Sequence, residues 1–334
     1  MTAPALPHRR LGPFSVSAIG LGCMNLSHAY GQPPERAAAQ ALLHRALDLG
    51  VDFFDTAALY GFGANETLLG ETLGPLRQRF TLASKCGMQG VDGVRVIDGR
   101  PATLKATCEA ALQRLRTEVI DLYYLHRWDK TVPIEDSVGA LAELVREGKI
   151  RAIGLSEVSG ATLRRAHAVH PIAALQSEYS LWTRNAEFGA LQACRELGVA
   201  YVAFSPLGRG YLTGTLTRVD DLAPKDIRRA MPRFTPEAYA RNLAALEALK
   251  PLADELGCSL AQLALAWLLH QGEDILPIPG TTRLDHLEED LGALQVRLSP
   301  EQVQRISDAL PPERIVGGRY NAATEAEVDT ETHP

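Results

Sequence analysis

The stretch Ile120-Asp121-Leu122-Tyr123-Tyr124-Leu125-His126, continued by a segment from Pro133 to Gly148 and then by Ile150-Arg151-Ala152-Ile153-Gly154-Leu155, decides the fold. The two flanking runs are short, apolar and rich in β-branched and aromatic residues, as buried strands are. Between them, Pro133 and Glu135-Asp136 open a helix. It carries Val138, Leu141, Leu144 and Val145 on one face, and Gly148 ends it. A strand, a helix and a second strand in so short a span make a βαβ unit, which requires a parallel sheet.

Working outward, the same grammar repeats. Upstream strands are expected at Ala18-Ile19-Gly20-Leu21, Val51-Asp52-Phe53-Phe54 and Phe80-Thr81-Leu82-Ala83-Ser84, after a hairpin around Leu11 to Val16. Downstream they are expected at Ala173-Ala174-Leu175-Gln176, Val199-Ala200-Tyr201-Val202-Ala203-Phe204 and Ile275-Leu276-Pro277-Ile278. Helices punctuate them: Leu42, Leu43, Ala46 and Leu47 share a face before Gly50, and Leu191, Cys194 and Leu197 precede Gly198. Eight such units predict a closed (β/α)8 TIM barrel with an N-terminal hairpin. The competing doubly wound fold announces itself with G-x-G-x-x-G in its first turn. Here that turn reads Gly20-Leu21-Gly22-Cys23-Met24-Asn25 and lacks the third glycine.

Extra material falls at Gly87 to Gly99, at Gly208 to about Pro236, and beyond Leu310. The first two follow strands and so belong to the catalytic face of a barrel. With no linker or repeat, the expectation is one domain over 1–334, its core at about 8–310, with 321–334 a disordered tail containing Glu325, Glu327, Asp329 and Glu331.

The chain has 334 residues, with 34 lysines and arginines against 40 aspartates and glutamates, a net charge of −6. Such a balance offers no field for a nucleic-acid backbone or an anionic membrane. The start Met1-Thr2-Ala3-Pro4-Ala5 lacks the order of a signal peptide, so a cytoplasmic location is expected. The cysteines, Cys23, Cys86, Cys108, Cys194 and Cys258, show no spacing for zinc and are expected to be reduced packing residues. No metal is expected.

In a barrel, polar residues that end apolar strands point into the mouth. Asp55, Lys85 and His126 each end one, and Tyr60 lies in the loop after Asp55. Singly, each has a structural use, as a helix cap, a solvated amine or a rim filler. Together they form a device for protonating an oxygen: a phenol to donate, an amine to stabilise phenolate, a carboxylate to keep the amine charged, and an imidazole to orient a carbonyl. Lys85 is expected to draw the Tyr60 phenol down from its ordinary range. Side chains cannot deliver hydride, so a nicotinamide or flavin is implied. A Schiff-base lysine at Lys85 is a rival reading; it would need a desolvated, uncharged amine.

From about Leu11 to Tyr320 the sequence resembles the aldo-keto reductase superfamily. The likeness rests on Asp55-Thr56-Ala57-Ala58-Leu59-Tyr60-Gly61, Ser84-Lys85, Asp121 to His126, Gly154-Leu155-Ser156, Gln176-Ser177-Glu178-Tyr179, Phe204-Ser205-Pro206-Leu207-Gly208 and Ile278-Pro279-Gly280-Thr281-Thr282, all in order. Its wording, with His126-Arg127-Trp128-Asp129, is similar to the general bacterial and plant type. The resemblance implies reduction of aldehydes and ketones with NADPH, Asp55, Tyr60, Lys85 and His126 forming a catalytic tetrad and Tyr60 acting as general acid. A slow-turnover, cofactor-binding regulatory barrel is the alternative.

By the same resemblance the nicotinamide meets Gly22, Met24, Asp55, Ser156, Gln176 and Phe204, and the pyrophosphate Ser205, Pro206, Leu207, Gly208, Gly210 and Leu212. The adenosine end falls to Gly280, Thr281, Thr282 and Arg283, with Glu289 and Asp290 near the adenine and Arg283 on the 2′-phosphate. Members of the aldose reductase branch carry a lysine at the place of Gly280 and an arginine at that of His286, and asparagine is common at that of Asp290. Tyr60, His126, Trp128, Met24, Tyr30 and Trp182 are expected to wall a pocket for a small carbonyl substrate. Monomer and homo-oligomer are both compatible with a closed barrel.

Overall fold

Apolar strands buried on both faces, helices packed outside them and side chains within, form the core. The computed structural model describes residues 6–27 and 29–332. Strands β1 (His8–Leu11) and β2 (Phe14–Ser17) pair antiparallel as the expected hairpin. Eight strands then pair in parallel: β3 (Leu21–Gly22), β4 (Phe53–Asp55), β5 (Thr81–Cys86), β8 (Ile120–Leu125), β9 (Ile150–Ser156), β10 (Ile172–Glu178), β11 (Ala200–Phe204) and β12 (Ile275–Pro277). The ends of this sheet meet. Gly20 N donates to Pro277 O at 3.0 Å and Gly22 N to Pro279 O at 3.0 Å, which closes the barrel. A Cβ on Gly22 would lie 2.8 Å from Ile278 O, so only glycine lets the seam shut there.

The barrel interior is filled by Phe53, Ala83, Leu122, Tyr124, Ala152, Ala174, Val202 and Leu276, and the hairpin plugs its N-terminal end with Leu11 and Val16. Helices α1 (Arg36–Asp48), α2 (Ala64–Leu73), α3 (Pro101–Leu115), α4 (Ile134–Arg146), α5 (Gly160–Val169), α6 (Ala190–Leu197), α7 (Pro236–Leu246), α8 (Lys250–Leu256), α9 (Leu260–Leu269), α10 (Leu284–Gly292) and α11 (Pro300–Ala309) bury their apolar faces against its outside.

Three differences from the sequence reading concern the crown. The Gly87 to Gly99 insertion is a hairpin, β6 (Met88–Val91) with β7 (Val94–Ile97), turned by Asp92 and Gly93 at φ +50° and +78°. The segment after β11 is a chain of single turns leading into α7. The expected disordered tail from 321 is instead docked as far as the described residues reach; Met1 to Ala5 and residues 333–334 lie outside them. It forms a short helix, α12 (Ala322–Glu325), and then runs beside β9, where Asp329 N donates to Glu157 O at 3.0 Å. Asp329 Oδ2 accepts from Ser159 N at 3.2 Å and Thr162 Oγ1 at 2.6 Å, and Glu331 Oε1 accepts from Gly160 N at 2.8 Å. The acidity that suggests fraying is what holds the tail, because carboxylates suit the N-terminus of α5.

Candidate active site

Three of the four proposed catalytic side chains stand where a strand ends, and Tyr60 lies in the turn after β4. β4 ends at Asp55, β5 carries Lys85 next to its last residue, and His126 follows β8 directly. Tyr60 is turned inward by a left-handed run, with Gly61, Phe62 and Gly63 at φ +56°, +52° and +92°. Lys85 Nζ donates to an Asp55 oxygen, to Thr56 O at 2.8 Å and to the Tyr60 hydroxyl at 3.1 Å. Three donors meet three acceptors, the full complement of an ammonium. Burial alone would lower the Lys85 pKa, but Asp55 and Tyr60 outweigh it and hold it above its ordinary value. A neutral nucleophilic amine, as a Schiff base requires, has no support in this geometry. Gln176 Nε2 donates to the other Asp55 oxygen at 2.7 Å and completes the carboxylate's surroundings.

Because Lys85 donates to the Tyr60 oxygen, the phenolic hydrogen is left for the cavity. Burial raises the Tyr60 pKa more than Lys85 lowers it, so the expected downward shift is absent here and Tyr60 stands as a neutral phenol. His126 lies edge-on to Tyr60, with ring centroids 5.8 Å apart. Burial, and then the charges of Lys85, Arg127 and Arg95, push its pKa well below the ordinary imidazole value, and among the described residues its Nδ1 has no hydrogen-bond partner. The result is a proton donor beside a neutral imidazole.

Asp55, Tyr60 and His126 line a cavity of about 590 Å³ at the C-terminal ends of the strands. Gly22, Met24, Tyr30, Ser156, Gln176 and Phe204 share its wall, as do Ser205, Pro206, Leu207, Gly210, Gly280, Thr281, Glu289 and Asp290. A polar cavity of about 490 Å³ near Phe14 and Arg77 contains none of these. Burial and the nearby Glu289 push the Asp290 carboxyl up to about 8, so at neutral pH it carries a proton and can donate as an asparagine would.

Other expected residues lie elsewhere. Trp182 is buried, stacked on Tyr211 at 4.2 Å and covered by Arg233 at 5.1 Å; it packs a loop and lies outside the lining of this cavity. Trp128 is tied to Val132 O at 2.8 Å, under Arg165, outside the cavity lining. Leu212 is fully buried, and Gly208 is buried against Trp182, where a Cβ would meet the indole at 2.9 Å. Thr282 and Arg283 also lie outside the lining, Arg283 being paired with Asp285 at the surface.

The residues missed by sequence reasoning are mainly arginines and the tail. Arg95, Arg127, Arg209, Arg228 and Tyr320 all line the cavity. Arg209 reaches Glu178 at 2.9 Å, and Arg319 bridges Glu178 at 3.3 Å and Glu157 at 2.9 Å, which locks the crown to the ends of β9 and β10. Although burial works the other way, Arg209 and Arg319 hold Glu178 down to about 2. Only Arg127 carried a signal, its place beside His126.

Comparison with known proteins bears on the family and the fold. The model of the Aldo/keto reductase family matches residues 18–311. A probable aldo-keto reductase of Glycine max is 44% identical over 325 residues, covering 96% of this chain and 93% of that one. Among solved structures, a glycerol dehydrogenase of Gluconobacter oxydans superposes with a TM-score of 0.84 at 29% identity, over 91% of this chain and 96% of its own. An aldo/keto reductase of Klebsiella pneumoniae, in complex with NADP and acetate, gives a TM-score of 0.72 at 26% identity, over 95% and 99%. Barrel, cavity and strand-end residues define a nicotinamide-linked oxidoreductase of carbonyl compounds. The chain belongs to the aldo/keto reductase family.

Proposed function

We propose that the protein reduces aldehydes or ketones to alcohols with NADPH, with Tyr60 as the proton donor. The observation that carries this reading is the Lys85 ammonium, which donates to the Tyr60 oxygen and leaves the phenolic hydrogen to the cavity. The donor set suits the cofactor: the Ser156 hydroxyl and Gln176 amide fit a carboxamide, Phe204 offers a ring, and Gly280 and Thr281 stand before the start of α10, where phosphates bind in barrels. The Klebsiella pneumoniae relative with bound NADP supports the choice. Arg283, exposed at that end, would exchange Asp285 for the 2′-phosphate.

When bound, the reduced nicotinamide supplies hydride to the carbonyl carbon. Tyr60 and the neutral His126 hold the carbonyl oxygen, and Tyr60 passes it the phenolic proton as charge develops. The Lys85 ammonium stabilises the phenolate that remains, and Asp55, steadied by Gln176, keeps that ammonium in place.

The test is Tyr60→Phe with purified protein, NADPH or NADH, and a panel of aldehydes and ketones. A fall in kcat of about 10²- to 10⁴-fold, with cofactor binding retained, is expected for loss of a general acid. Comparable turnover would remove Tyr60 from its role. Weaker binding of NADPH than of NADH by the unaltered protein would remove the NADPH assignment.

A further inference from the structure

Four arginines line the cavity, and three are spoken for. Arg95 pairs with Glu327 at 2.6 Å, Arg209 with Glu178 at 2.9 Å and Arg228 with Asp226 at 2.7 Å. Arg127 is the exception. Its side chain is buried, the residue being 8% exposed, yet among the described residues no carboxylate lies within 4 Å of it. Nη1 donates to two neutral oxygens, His126 O at 2.8 Å and Ser156 Oγ at 3.3 Å. Its Nε is buried without a hydrogen-bond partner among the described residues.

A buried guanidinium without a directly paired carboxylate is costly unless something else supplies the contact. The cost falls at an informative place. Arg127 follows His126 directly and borders the same cavity as Tyr60, and its charge is felt by both rings. Arg95, on β7 of the inserted hairpin, adds a second positive group at the rim of that cavity. Glu327 pairs directly with Arg95, whereas the carboxylate that feels Arg127, Glu157, is already held by both oxygens on Arg319, so Arg127 has no direct ion pair of its own among the described residues.

We propose that Arg127, assisted by Arg95, binds a carboxylate on the carbonyl substrate, so that the preferred substrates are short oxo acids. This rests on the reductase reading above and adds the substrate class. The carboxylate supplies the direct ion pair that Arg127 lacks and the carbonyl reaches Tyr60 and His126. Planar guanidinium and planar carboxylate match in geometry.

The test compares 4-oxobutanoate with its neutral methyl ester in the unaltered protein and in Arg127→Gln, Arg127→Lys and Arg95→Gln. The unaltered protein should favour the acid over the ester by about 10-fold or more in kcat/KM, the scale of a hydrogen bond to a charged group. Arg127→Gln should bring the ratio close to one, mainly through KM for the acid. Arg127→Lys should restore part of it, and Arg95→Gln should lower it less. An acid-to-ester ratio of one or below in the unaltered protein overturns the inference while ester turnover leaves the reductase reading standing. An unchanged ratio in Arg127→Gln, with or without weaker cofactor binding by fluorescence quenching, overturns it too and assigns Arg127 to the cofactor or the fold. Turnover of neither compound removes the reductase reading and this inference with it.

Discussion

The floor of the cavity and its rim are built on opposite plans. On the floor, Asp55, Lys85 and His126 stand at strand ends, and Lys85 meets three acceptors within its own neighbourhood. At the rim, the inserted hairpin, the loop after β11 and the tail are joined by charged pairs that link residues far apart in sequence, such as Arg319 with Glu157 and Arg95 with Glu327. Strand ends inherit their positions from the sheet, so reacting groups there are held without loop order. Rim residues hold position only when distant partners arrive, and rims can therefore vary between relatives while the floor stays.

The sharpest way to break this contrast is at the floor. Tyr60→Phe should cost catalysis far more than stability. Lys85→Met leaves Asp55 buried without its cation, and an unfolding titration should show a loss of about 3–5 kcal/mol. A loss no larger than that of a tail substitution would end the distinction.

Asp290 sharpens the contrast through pH. Its folded pKa, about 8, lies above the ordinary aspartate value of 3.8. A raised carboxyl stabilises the fold fully below the unfolded pKa and progressively loses that contribution as pH rises between the two. Stability should thus fall on this account from about pH 4 to pH 8, and Asp290→Asn should remove the dependence. At pH 7 that substitution should stabilise by on the order of 2–4 kcal/mol, read by denaturation across pH. A destabilised Asp290→Asn would show the carboxyl to be ionised and paired in solution.

The smallest effect belongs to the tail. Asp329→Ala removes acceptors from the start of α5, and about 1 kcal/mol should be lost. Faster proteolysis of the C-terminal segment should accompany it. An unchanged cleavage rate would show that the tail is held by other contacts, such as those of Glu331.

The floor was legible because its signal is local: an apolar run of fixed period followed by one polar residue marks a strand end. The barrel followed from eight such runs in succession. Trp182 was misread as a pocket wall because its surroundings, Tyr211, Phe234 and Arg233, come from a segment without regular period. The tail was misread because acidity marks either solvent or a helix start, and the start of α5 lies about 170 residues earlier.

By itself, then, the sequence determined the barrel and the placing of Asp55, Tyr60, Lys85 and His126 at its mouth, since strand period and chain direction are properties of neighbouring residues. The tertiary structure alone decided the upward shift of Tyr60, the proton on Asp290, the docking of the tail and the lack of a direct ion pair at Arg127. Burial and charge pairing are sums over groups brought together from across the chain, and no local pattern contains that sum.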